Sequence, residues 1–163
     1  DVVPRPAKEP LVIRASVRTG SVADLQDRPE LTGLPATQRA GELAFRQAGL
    51  APSQVDFAEV HDCFTIAEIL ALEDLGFFPR GSAAQAGADG GTARDGALPV
   101  NPSGGLKAKG HPIAATGAGQ VVEVFEQFNH AAGRRQVPRV GSALTHNVGA
   151  TGGSCSVHIF SHR

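Results

Sequence analysis

The sequence predicts an α/β domain, a mixed sheet with helices packed on it. Three observations carry that expectation. The run LVIRASVRT (11–19) alternates apolar and polar residues, the period of a half-buried strand. Val121, Val124, Phe125 and Phe128 recur at i, i+3, i+4 and i+7, the period of an amphipathic helix. RVGSALTHNV (139–148) and SCSVHIF (154–160) are strand-like runs joined by GATGG, the pattern of a hairpin. Helical and strand patterns are interleaved along the whole chain, which favours one mixed architecture over separate all-α and all-β parts.

Taken in order, DVVPRPAKEP (1–10) has three prolines in ten residues and reads as an extended linker, with the domain running over 11–163. After the first strand, residues 20–33 are polar and irregular. PATQRAGELAFRQAGL (35–50) is helical in composition, with Thr37 a candidate N-cap and Gly49 a candidate stop. VDFAEVHDCF (55–64) carries a short strand expected to end near His61. TIAEILALEDLGFF (65–78) follows as a helix with Ile66, Ile69, Leu70 and Leu75 on one stripe. Residues 79–100 are small, polar and glycine-rich, which predicts a long surface loop. The resulting order is β-α-β-α-α-β-β. Helices on only one face of such a sheet would leave its other side apolar.

Composition narrows the function by exclusion. The chain has 163 residues, 41% hydrophobic and 19% charged, with a formal net charge of −1, which suits one domain that buries a core. The near-neutral balance and the lack of like-charge blocks argue against nucleic-acid binding. No apolar stretch approaches a membrane span, and the N-terminus does not resemble a signal peptide. Two cysteines without an export signal read as free thiols, so the cytoplasm is the default compartment. The absence of methionine suggests a processed product or a fragment of a longer chain.

Three stretches place reactive groups at strand ends or in glycine turns: His61-Asp62-Cys63-Phe64, Gly110-His111-Pro112 and His146-Asn147-Val148-Gly149. Glycine loses the most conformational freedom on folding, so NPSGGLKAKGHPIAATGAG (101–119) marks a backbone that bends tightly or approaches something closely. A thiol and an imidazole together form a nucleophile and base, and glycine turns supply backbone donors for an oxyanion. That combination points to acyl-transfer chemistry on a carbonyl and nothing narrower. Plainer readings stand beside it. A cysteine after a strand is commonly a small buried hydrophobe, and Cys155 within its strand more so. Asp62 caps the following helix, Lys107 and Lys109 are solvated loop residues, and His130, His158 and His162 are surface or strand residues. No pair of residues has the spacing of a zinc site, so no metal is expected.

The three stretches together resemble the thiolase superfamily. NPSGGLKAKGHPIAATGAGQ resembles the thiolase histidine loop. HDCF (61–64) is similar to the tetrapeptide that the sterol-carrier-protein type of thiolase has where biosynthetic thiolases have Asn-Glu-Ala-Phe. HNVGATGG (146–153) falls where the latter carry a Cys-x-Gly motif. The similarity runs from about residue 11 to the end and covers only the C-terminal half of a fold made of two similar α/β halves. It implies that the nucleophilic cysteine lies in an N-terminal half, to which nothing here is similar.

The resemblance also implies roles. His111 would deprotonate that cysteine and face the oxygen of a thioester enolate. His61 would help hold that oxygen, directly or through water. Cys63 would move the α-proton of a second acyl-CoA, alone, because Asn147 stands in the Cys-x-Gly cysteine position. Gly149 would offer its N–H to the tetrahedral intermediate. Acyl-CoA and CoA would be substrates, with no tightly bound cofactor. The partners would be the N-terminal half and, in the complete enzyme, further copies of itself. The alternatives are a thiolase-like aldolase that needs a small OB-fold partner protein, a non-catalytic acyl-CoA-binding or assembly domain, and a stand-alone cysteine hydrolase using Cys63 and His111. Such aldolases carry a tyrosine in the position of His61, so the histidine favours thiolysis.

Overall fold

The computed structural model describes residues 11–162, so the linker expected over 1–10 lies outside the described residues. Four strands, β1 (Val12–Gly20), β2 (Phe57–Glu59), β3 (Ser142–Gly149) and β4 (Ser154–Ser161), form one sheet in the order β1-β4-β3-β2. β4 runs antiparallel to both β1 and β3, while β2 and β3 are parallel, so the sheet is mixed. The β3–β4 turn closes where the Gly152 N–H donates to the Gly149 carbonyl at 3.0 Å, with Gly152 at φ +89.

Side-chain alternation sends each strand's apolar residues to two opposite faces. On the first face Ala58, Leu144, Cys155, Val157 and Ile159 meet α1 (Pro35–Ala48) and α2 (Thr65–Asp74). α1 presents Ala36, Ala40, Ala44 and Ala48, a four-residue repeat of methyl groups that brings its backbone close to β1 and β4. Gly49 ends the helix in the left-handed region, its N–H bonded to the Arg46 and Phe45 carbonyls. On the second face Phe57, Ala143 and Phe160 meet Val124 and Phe128 of α5 (Thr116–Phe128). Both faces therefore carry helices, and the expected bare apolar side of the sheet is not there.

Four local expectations are corrected. Thr37 is not an N-cap. Leu34 takes that position, its N–H held by Asp74, and Thr37 is buried inside the first turn. The stripe on α2 holds only in part: Leu75 is buried and Ile69 packs against the core, but Ala71 and Leu72 are buried beside them and Ile66 is 57% exposed, so the core contact lies toward the C-terminal end of the helix. Residues 79–100 hold a short helix, α3 (Ala83–Ala88), and Val100 bridges to Ala58 as an edge of the sheet. The alanine-rich AAQAGA run outweighs the glycines around it.

The fourth correction concerns α5. Its buried residues are Thr116, Gln120, Glu123, Val124, Gln127 and Phe128, so the helix is rotated from the apolar stripe and puts polar groups inward. Those groups are satisfied. The Gln127 amide donates to Glu123 at 2.8 Å and to the Arg135 carbonyl at 2.9 Å, and Arg135 pairs with Glu123. Val121, Val122 and Phe125 are left on the outer surface, with Ile113 beyond them at 95% exposure. No helix among the described residues is long and apolar enough to cross a membrane.

Candidate active site

β2 ends at Glu59, and the chain turns through His61, Asp62 and Cys63 before α2 begins. Asn101 fixes this exit: its Oδ1 accepts the Val60 N–H at 2.8 Å and its Nδ2 donates to Glu68 at 2.9 Å. Asp62 does not cap α2, whose first position is taken by Phe64 without a side-chain bond. It turns to α4 (Gly105–Lys109), accepting the Leu106 N–H at 2.9 Å. The glycine cluster finds its reason here. Gly105 has φ +64, and a Cβ on it would lie 2.0 Å from Asp62 Oδ2.

Lys109 is not a solvated loop residue. Its ammonium donates to Glu59 at 3.1 Å and to Ser103 Oγ at 2.8 Å, and Ser103 donates both its N–H and its hydroxyl to the same carboxylate. Glu59 is fully buried, and that burial raises its pKa against the pull of Lys109 and Ser103. This cluster clamps the backbone two residues before His111, and its strand and loop components lie too far apart in sequence for spacing to reveal it.

The two imidazoles of His61 and His111 stand edge to face, with ring centroids 4.9 Å apart. Thr116 donates its hydroxyl to the Pro112 carbonyl at 3.3 Å, so its oxygen accepts from His111 Nδ1 at 3.2 Å. That leaves His111 Nε2 as the nitrogen with the free lone pair. His61 is 6% exposed, its Nδ1 lies 3.4 Å from Asn147 Oδ1, and its backbone N–H donates to His146 Nδ1 at 3.4 Å. Burial lowers the pKa of His61, with His111 acting in the same direction and the Asn147 bond opposing it. His146 lies deeper, 3.0 Å from Thr37 Oγ1, and is pushed down to about 3 by burial and by His61.

A cavity of about 450 Å³ is lined by His61, His111, Asn147 and Gly149, together with Arg18 and His158. A second cavity of about 770 Å³ is lined by Cys63, Phe64, Glu68, Asn101, Lys107 and, again, His111. Four of the five sequence-derived candidates thus gather around one cavity. Cys63, half-buried, lines the neighbouring one, and His111 is common to both. Cys155 is buried among core residues, and burial pushes its thiol up to about 11, which makes it inert. Sequence reasoning missed Glu59, Lys109, Thr116 and Gln120. The only signal for the last two was that the Thr116, Gln120, Glu123 and Gln127 spacing is as helical as the apolar stripe beside it.

A model of the thiolase C-terminal domain-like family matches residues 19–162. The chain belongs to that family. This thiolase C-terminal domain is 49% identical over 93% of its length to an acetyl-CoA acetyltransferase of Methanothermobacter thermautotrophicus, of which it spans 40%. It is 42% identical over 76% of its length to sterol carrier protein 2 of Gallus gallus, spanning 22% of that protein. Among solved structures it matches the Ltp2-ChsH2(DUF35) aldolase with a TM-score of 0.82 at 27% identity, covering 94% of this chain and 40% of that one. The chain spans less than half the length of each of these proteins.

Proposed function

We propose that this domain is the C-terminal catalytic half of a thiolase-type acyltransferase. Its reaction is the reversible Claisen condensation and thiolysis of acyl-CoA thioesters, and its acyl-accepting cysteine lies on an N-terminal half. The observation that carries the reading is the His61–His111 pair over a cavity shared with Asn147 and Gly149, with Cys63 in a second cavity that His111 also lines. In this reading His111 Nε2, its lone pair free, takes the proton of the nucleophilic thiol. It then faces the enolate oxygen, which His61 helps hold. Gly149 offers its N–H to the tetrahedral intermediate. Cys63 moves the α-proton, since the Asn147 amide has no basic site at neutral pH. CoA and acyl-CoA come and go as substrates, with no tightly bound cofactor. The exposed Val121, Val122 and Phe125 of α5 support a second half packing on that helix, with the complete enzyme an oligomer.

A second reading rests on the likeness to the aldolase complex: a thiolase-like aldolase subunit that works with a small OB-fold partner protein. One assay separates them. The complete protein containing this chain is given acetoacetyl-CoA and CoA, and loss of the β-ketothioester is followed. Thiolysis at about 1 per second or more is expected from the complete protein and none from the 163-residue chain alone. Turnover by the chain alone would make Cys63 the nucleophile and end the half-enzyme reading. Retro-aldol cleavage of β-hydroxyacyl-CoA without thiolysis would establish the aldolase.

A further inference from the structure

We infer that Gln120, on α5, is a positioning residue that fixes which nitrogen of His61 carries the proton, acting through Asn147. The His146 backbone carbonyl can only accept, and Gln120 lies 3.2 Å from it, so the amide must point its Nε2 there. Its Oε1 then has to accept, and the group that reaches it is Asn147 Nδ2. With its nitrogen committed, Asn147 turns Oδ1 to His61 Nδ1, which lies 3.4 Å away and must donate. Each step leaves one choice, so a backbone carbonyl on β3 sets the imidazole through two amide flips.

Surroundings hold the relay in place. Gln120 is 1% exposed, too dry for water to replace either of its bonds cheaply. Asn147 lies against α5, with Gly117 leaving room for it: a Cβ at Gly117 would sit 3.3 Å from Asn147 Nδ2. The groups facing His61 are His111 at its ring edge, Asp62 next in the chain and His146 against its backbone N–H. None of them bonds to its Nδ1.

The consequence deepens the thiolase reading and rests on it. Neutral His61 presents Nε2 as an acceptor, so at the enolate it holds a water that donates onward, and it donates directly only when protonated. Without Gln120 the Asn147 amide is free to flip, and a flipped amide presents N–H groups to Nδ1 and drives the proton to Nε2. The expected cost is in kcat rather than KM, because Gln120 touches no substrate.

The test has two arms. In the chain labelled with ¹⁵N-histidine, long-range ¹H–¹⁵N couplings assign the His61 tautomer at a pH where the ring is neutral. The parent is expected in the Nδ1–H form. Gln120→Met keeps the length of the side chain and loses its polarity, and Gln120→Ala serves if the first does not fold. Either is expected to shift the tautomer ratio toward Nε2–H by about 5–10-fold, the effect of one neutral hydrogen bond. Asn147→Asp added to the variant offers only acceptors and is expected to restore Nδ1–H. In the complete protein the Gln120 variants are expected to lower kcat about tenfold with KM within about twofold. An Nε2–H parent, or a tautomer that ignores Gln120, overturns the inference whatever the activity. A protein with no thiolase activity but the expected tautomers would instead overturn the functional reading alone.

Discussion

Lowering the pH should cost this domain stability through one buried ring. His146 is fully buried between Thr37 and the His61 backbone, and it is held neutral, its pKa pushed down to about 3 by burial and by His61. In the unfolded chain the same imidazole titrates near its ordinary value of 6.5. The unfolded state therefore takes up a proton that the native state refuses. Stability is complete above that value and is lost as pH falls from there toward about 3. Between about pH 7.5 and 5, the proton bound only by the unfolded state costs about 2 kcal/mol. Burial lowers the pKa of His61 and His158 as well, which adds to the loss. Glu59 and Glu68 have raised pKa values, so their contributions weaken as pH rises and oppose it. The comparison that isolates His146 is a urea titration of the parent and of His146→Asn at both pH values. The asparagine keeps an acceptor for the His61 N–H and does not titrate. The variant's midpoint should move less with pH, by an amount worth about 2 kcal/mol. Identical pH dependence in the two proteins would refute a buried, neutral His146.

Three further outcomes follow from the geometry. Gly105→Ala forces a Cβ into Asp62 Oδ2 at a φ of +64 and should lower stability by about 2–4 kcal/mol, read as a fall in the urea midpoint. Lys109→Met removes the cation from the buried Glu59 while its own partly exposed end loses little. It should cost about 2–3 kcal/mol at pH 8 and less as pH falls, since burial raises the Glu59 pKa and a protonated Glu59 no longer needs a partner. In the complete protein His111→Ala should lower thiolysis by about 10²–10³-fold or more in the acetoacetyl-CoA assay.

How much of this was legible in the sequence depends on where the information lay. Strand β1, helix α1 with its Gly49 stop and the β3–β4 hairpin follow from local periodicity and turn chemistry, and the structure has them in place. The α5 helix was legible as a helix but not in its orientation. Two helical stripes compete on it, and the polar one wins because Gln120, Glu123 and Gln127 find partners 8 to 27 residues away. Thr37 reads locally as a cap, but His146 and Cys155, more than 100 residues on, draw it into the core. The same holds at the site. His61, His111, Asn147 and Gly149 stand out as motif residues and line one cavity. Glu59 and Lys109 carry no local pattern, since the bond between them spans 50 residues of chain, and Gln120 shows only the spacing of its helix, its bonds reaching 26 and 27 residues on.

The central claim, a thiolase half-site in which Cys63 moves the α-proton while His111 serves the acylation, is tested most directly by Cys63→Ala in the complete protein. Two rates are measured with acetyl-CoA: the burst of CoA released as the acyl-enzyme forms, and the steady appearance of acetoacetyl-CoA. In the proposed reading acylation would use a cysteine of the N-terminal half together with His111 and Gly149, so the burst should stay within about tenfold of the parent. Condensation needs a base at the α-carbon, and with Asn147 unable to serve it should fall by about 10²-fold or more. A folded variant that condenses at nearly the parent rate, having lost only the packing of a small half-buried thiol, would contradict the account.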